Sequence, residues 1–141
     1  PSTQALKRRR LEEAGALIPE NLHFVAADLG AEALDTVLGR SAFRADELTF
    51  VSWLGVTAYL TREANLATLR AIACCTPPGS ELVFTYLDAR EFDPDRRTVA
   101  LDRERARVAA IGEPMVSGFD PERLPAELRE IGLELVEDLG L

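Results

Sequence analysis

A run of apolar, β-branched and aromatic residues that stops at a glycine and passes at once into a helical pattern leaves a chain few options. Here it is Thr49 to Leu60, T-F-V-S-W-L-G-V-T-A-Y-L. Leu48, Phe50, Val51, Trp53 and Leu54 read as a buried strand, Gly55 as its turn and Thr61 as the start of a helix. In an open α/β sheet, ligands bind in the crevice outside the carboxyl ends of the strands, and a glycine there lets the backbone approach without a Cβ in the way. Trp53 to Gly55 is therefore expected to line a small-molecule pocket.

The remaining elements arrange themselves around that unit. Residues 2–14 favour a helix with Leu6, Leu11 and Ala14 on one side and Gly15 as its stop, carrying the basic run Lys7 to Arg10. That run reads either as a recognition patch or as a solvated helix face partly balanced by Glu12 and Glu13. Leu22 to Leu29, L-H-F-V-A-A-D-L, is nearly continuous in apolar residues and predicts a central parallel strand ending at Asp28. A short helix over 31–39 follows. The pattern from Thr61 to the break at Pro77-Pro78 predicts a long helix, and Glu81 to Asp88 a third strand. Residues 89–98 form a charged loop and 99–111 a helix. Asp120-Pro121-Glu122 predicts a further helix start, with Pro125 placed late enough to distort its first turns, and Leu133 to Leu139 a fourth strand. Strands and helices alternating in this way imply an α/β fold with a mostly parallel sheet and helices on both faces.

Composition narrows the function classes. The chain has 141 residues, which fits a single domain, and 47% of them are hydrophobic, enough to build a core. Sixteen basic against 24 acidic residues give a net charge of −8, which disfavours nucleic acid or an anionic membrane as a partner. No apolar stretch approaches the ~20 residues of a membrane span, so a cytoplasmic location is expected. The adjacent pair Cys74-Cys75 lies within a helical pattern and reads as two free thiols.

Three strand ends gather candidate chemistry: Asp28 and Leu29, Trp53 to Gly55, and Tyr86 to Asp88. On neighbouring parallel strands these lie along one sheet edge. A carboxylate beside a backbone N–H suits the edge of an adenine, and an aromatic or leucine side chain its face. In the alternative reading Trp53 and Tyr86 are core residues and Asp28 caps a strand end. The chain contains no G-x-G-x-x-G, Walker loop, G-x-S-x-G or metal-ligand cluster, and His23 is its sole histidine.

Several stretches together carry a family resemblance. P-S-T-Q-A-L-K-R-R-R from Pro1, N-L-H-F-V-A-A-D-L, F-V-S-W-L-G-V-T-A-Y-L-T-R-E-A, S-E-L-V-F-T-Y-L, G-E-P-M-V-S-G-F-D-P and G-L-E-L-V-E-D-L-G, in that order, resemble the leucine carboxyl methyltransferase-like branch of bacterial S-adenosylmethionine-dependent methyltransferases. The resemblance implies a Rossmann-like class I methyltransferase sheet, incomplete at the N-terminus, with S-adenosyl-L-methionine as cofactor and O-methyl transfer to a carboxylate or hydroxyl of a small molecule or peptide. It implies that Asp28 and Leu29 hold the adenine, that Trp53, Leu54 and Gly55 approach the methionine part of the cofactor, and that Tyr59 lies on the acceptor side; Tyr86 is assigned to the same side. Leu54 stands where many relatives carry a glutamate for the cofactor's amino group. The glycine-rich loop and the ribose-binding acid of the family are expected upstream of Pro1, and either those residues or a second chain is expected to cover the sheet edge. A carboxylate acceptor needs no base, being ionised at neutral pH; a hydroxyl acceptor needs one. Two other readings compete: a non-catalytic α/β binding or interaction domain that has lost the cofactor site, and half of a nucleotide-dependent oxidoreductase, which the missing dinucleotide fingerprint disfavours.

Overall fold

The structure, a computed structural model, describes residues 2–29, 31–93, 95 and 98–140. Positions 94, 96 and 97 of the expected charged loop lie outside the described residues. The elements, in chain order, are α1 (Ser2–Glu13), α2 (Leu34–Gly39), β1 (Phe50–Trp53), α3 (Arg62–Cys75), β2 (Glu81–Phe84), α4 (Val99–Ala110) and α5 (Leu124–Glu130), with 3₁₀ turns at Thr57–Tyr59 and Ala89–Phe92.

The organising unit is a β-α-β connection. β1 and β2 pair in parallel, with Phe50 opposite Glu81 and Trp53 opposite Phe84, and α3 crosses between them. Thr61 caps α3 by accepting a hydrogen bond from the Ala64 N–H, which uses one of the donors that a helix start leaves unpaired. Side chains alternate across a strand, and here the alternation separates a packed face from an open one. Val51, Trp53, Leu82 and Phe84 join the core with Leu69, Ile72, Phe119, Leu124 and Leu128, whereas Phe50 and Val83 remain 65% and 42% exposed. Burial on both sides, anticipated from the apolar run, is thus replaced by burial on one side.

Two expected strands do not form among the described residues. Neither 22–29 nor 133–139 pairs with a neighbour, and an extended segment becomes a strand only through a ladder of hydrogen bonds to one. Leu133 and Leu135 still pack against the core. Regular helix begins only at Leu124; residues 121–123 form a turn after Asp120, and Pro125 falls in the helix's first turn, where a missing N–H costs nothing. Lys7 and Arg8 lie over the Phe24 ring, 5.6 and 4.4 Å from its centroid, so half of the basic run is spent on packing. Both cysteines are free.

Candidate functional site

The end of β1 is where backbone conformation and side-chain chemistry meet. Gly55 has φ of +68°, the left-handed region that side chains with a Cβ rarely adopt. Its N–H donates to Thr85 Oγ1 at 2.8 Å, and Thr57 Oγ1 donates to the Thr85 carbonyl at 2.6 Å, so the two strand ends are tied together beyond the ladder.

The chain then turns through Thr57–Tyr59, and this turn is fastened to a distant segment. Asn65, on α3 and fully buried, donates through Nδ2 to the Thr57 carbonyl at 2.8 Å and to Ser117 Oγ at 3.0 Å. Ser117 Oγ donates to the Leu60 carbonyl at 2.7 Å, and the Val116 N–H to the Ala58 carbonyl at 2.7 Å. Behind them the chain closes in on β2's continuation: the Phe119 N–H bonds the Leu87 carbonyl and the Ala89 N–H the Phe119 carbonyl, at 2.9 and 2.8 Å. Gly118 is required by that approach, because a Cβ there would stand 2.5 Å from the Leu87 oxygen.

Between the two fastened segments lies a cleft of about 440 Å³. Gly55, Val56 and Tyr59 form one wall, and 112–114 with Val116 the other. The second wall starts from the C-terminal cap of α4, where the Gly112 N–H reaches the Ala109 carbonyl at 3.0 Å and the Glu113 N–H the Val108 carbonyl at 3.0 Å. That paired arrangement satisfies carbonyls left over at a helix end and fixes the backbone of Glu113. The nearby Arg107 is held by Glu104 through bonds of 2.9 and 2.6 Å, which draw the Glu104 carboxyl below the usual carboxylate range.

The residues singled out in the sequence are distributed unevenly. Gly55 and Tyr59 line the cleft. Trp53 does not: its indole is in the core, 6.2 Å from the Phe84 ring, and its Nε1 has no hydrogen-bond partner among the described residues. Leu54 is exposed beside the turn. Tyr86 packs edge-on to Phe119 and donates to Asp138 Oδ2 at 2.6 Å; burial, then that hydrogen bond and the Asp138 charge push its phenol well above the ordinary tyrosine range. Asp28 and Leu29 sit in a turn outside the cleft lining, where the Asp28 carbonyl accepts from the Ala31 and Glu32 N–H groups. Arg40 braces this turn by bonding both Glu32, at 2.6 Å, and the Ala26 carbonyl, at 3.0 Å, and holds the Glu32 carboxyl low. Sequence pattern does not single out Asn65, Glu113 (beyond the Gly112-Glu113-Pro114 break after α4), Ser117 or Gly118. The last three lie in the quoted stretch G-E-P-M-V-S-G-F-D-P, but nothing local says that this stretch meets Thr57–Leu60.

The family profile of leucine carboxyl methyltransferase matches residues 1–73 of the chain. The chain belongs to that family. YktD of Bacillus subtilis (strain 168), which carries the provisional name of an S-adenosyl-L-methionine-dependent methyltransferase, is 35% identical over 140 residues, 99% of this chain and 46% of YktD. This leucine carboxyl methyltransferase relative therefore spans about half the length of the curated protein it matches. No solved structure matches it.

Proposed function

We propose that this chain forms part of an S-adenosyl-L-methionine-dependent O-methyltransferase and that the cleft beside Gly55 is where the methyl acceptor, a small molecule or peptide, meets the cofactor. The observation that carries the reading is the Gly55 turn itself. It exposes main chain at the carboxyl end of β1, a Cβ built at this glycine would meet nothing within 4 Å, and the cleft opens directly from it. These features fit a cofactor whose methionine part lies against backbone. In this reading Asp28 and Leu29 take the adenine, Trp53 contributes its main chain rather than its indole, Leu54 and Gly55 flank the methionine part, and Tyr59 lines the acceptor side. Tyr86, with its hydroxyl held by Asp138, backs that side from within the core.

When bound, the cofactor supplies an electrophilic methyl on a sulfonium. The work left to the chain is to hold an acceptor oxygen in line with it, and positioning alone is worth up to about 7–11 kcal/mol. The Asn65–Ser117 fastening serves this purpose by fixing the separation of the two walls. The outer edges of β1 and β2, unpaired among the described residues, are what upstream residues or a partner chain would cover, and the open face with Phe50 and Val83 lies beside them.

The test is calorimetric titration of S-adenosylhomocysteine into the full-length gene product and its Gly55→Val variant. Binding by the parent and its loss in a folded variant are expected. A folded parent that does not bind overturns the reading and leaves the non-catalytic binding domain, which the carboxylate-free Leu54 position favours, as the better account.

A further inference from the structure

Asn65 is an odd residue for its place. α3 is largely Ala, Leu, Arg and Glu, and an asparagine inside a helix gains nothing locally, because its amide competes with the backbone for hydrogen bonds. Its side chain is fully buried, and Oδ1 finds no hydrogen-bond partner among the described residues. A buried acceptor without a donor costs stability that a leucine of similar volume would not. A local rule broken with no local gain points to a role elsewhere.

That role is carried by Nδ2. A primary amide has two N–H bonds, and here one goes to the Thr57 carbonyl at 2.8 Å and the other to Ser117 Oγ at 3.0 Å, one for each wall of the cleft. Exchanging Nδ2 with Oδ1 would set an acceptor against the Thr57 carbonyl, so the site permits this orientation alone. Ser117 lies 3.3 Å from the Thr57 carbonyl and 2.7 Å from that of Leu60, and it sends its single hydroxyl hydrogen to the nearer one. With the Val116 N–H on the Ala58 carbonyl, the carbonyls of Thr57, Ala58 and Leu60 are all held from outside the turn, and Tyr59 stands between them. Tyr59 and Val116 line the cleft, while Asn65 is sealed beneath it.

Resting on the methyltransferase reading above, we propose that Asn65 is the positioning residue of this cleft. Its amide sets the place of Tyr59 relative to Val116, and with it the width open to the methyl acceptor beside the Gly55 turn. It touches neither cofactor nor acceptor and acts through the turn and through Ser117. Leucine at position 65 would fill the space and lack both donors. Neither former partner would be orphaned: the Thr57 carbonyl keeps the Leu60 N–H at 3.3 Å, and Ser117 Oγ keeps the Leu60 carbonyl. The fold therefore survives the change and the register of the walls does not.

The experiment combines fluorine NMR of the full-length gene product labelled with 3-fluorotyrosine and calorimetric titration of S-adenosylhomocysteine. Tyr59→Phe and Tyr86→Phe assign the two resonances. In Asn65→Leu the urea midpoint is expected to hold or rise, the Tyr59 resonance to shift or broaden, the Tyr86 resonance to stay, and S-adenosylhomocysteine affinity to fall about tenfold. Ser117→Ala should move the Tyr59 resonance in the same way, and the double variant should bind no worse than Asn65→Leu, because both changes cut one connection. Leu69→Ala, a core change on the same helix, should lower the midpoint and leave the Tyr59 resonance and the affinity alone. A folded Asn65→Leu that matches the parent in Tyr59 resonance and affinity overturns the proposal. So does a lowered midpoint with both tyrosine resonances displaced, the pattern of a merely structural residue. If Asn65→Leu does not fold, Ser117→Ala decides by the same two readouts. A folded parent that fails to bind S-adenosylhomocysteine overturns the methyltransferase reading instead, and the Tyr59 resonance still tests what Asn65 holds in place.

Discussion

The residues before β1 and those after it are held by different forces. After Phe50, distant pieces share one apolar core: Trp53, Leu69, Ile72, Phe119, Leu124 and Leu128 are all buried, and backbone bonds join 57–60, 87–89 and 116–119. Before Phe50, Val37 is the buried apolar side chain among the described residues, on a helix packed against α3, with Leu34 of the same helix partly buried against the core. Contacts among the described residues elsewhere in that region are largely polar: cations over Phe24, the Gln4 side chain on the Val25 carbonyl at 3.2 Å, and the exposed Glu32–Arg40 pair. Apolar burial is not weakened by charge screening, while exposed ion pairs and cation–π contacts are screened and individually small. The cleft draws both walls from the cohesive region, and the Asp28 turn assigned to the adenine sits in the polar one.

The contrast is broken most directly at Phe119, which touches Phe84, Tyr86 and Arg62 at once. Phe119→Ala is expected to lower stability by about 3–5 kcal/mol, read from the urea midpoint. A loss under about 1 kcal/mol would mean that the core is not what holds the second region. Gly118→Ala comes next, at about 1–3 kcal/mol, because the new methyl must displace the Leu87 carbonyl or the Ala89 amide. An unchanged midpoint would show that the two segments approach less closely in solution.

These positions also show what a sequence can and cannot disclose. The Gly55 turn, the Thr61 cap, α3, α4 and the pairing-competent strands were legible because each depends on periodicity and on residues within a few positions of one another. Residues 22–29 have the apolar content of a strand, but a ladder needs a neighbour, and local pattern carries no information about one. The start of the last helix differs for a related reason: Asp120 accepts from the Glu122 and Arg123 N–H groups in a preceding turn, and regular helix begins only at Leu124, with Pro125 in its first turn. Of the residues singled out in the sequence, Gly55 and Tyr59 line one cleft. The opposing wall was not legible, because Asn65 finds Ser117 across 52 positions of chain.

The third effect concerns pH. Tyr86 has its phenol pushed up by burial, by its bond to Asp138 and by the negative charges of Asp138 and Asp88, with Arg90 opposing. Its protonated form is thus favoured by folding. The stabilisation is complete below the ordinary phenol value of about 10 and is lost as pH rises toward the folded value, since the unfolded chain releases the proton first. Stability should therefore fall with rising pH in the alkaline range. Tyr86→Phe should cost about 1 kcal/mol at neutral pH and flatten that fall. An alkaline slope equal in parent and variant would mean that the terminal segment bearing Asp138 is not tied to β2.

The smallest effect tests the polar region. Arg8→Ala removes the guanidinium 4.4 Å from the Phe24 ring, a contact worth about 0.5–1 kcal/mol at an exposed site. Global unfolding should barely register the change, because α1 adds no buried apolar side chain to the core. Hydrogen exchange should register it, as faster exchange of the α1 amides with no change in those of α3. Coupled loss of protection in both helices would show that the first region is stabilised through the core after all. The Asp28 turn would then share the rigidity of the cleft instead of being ordered separately from it.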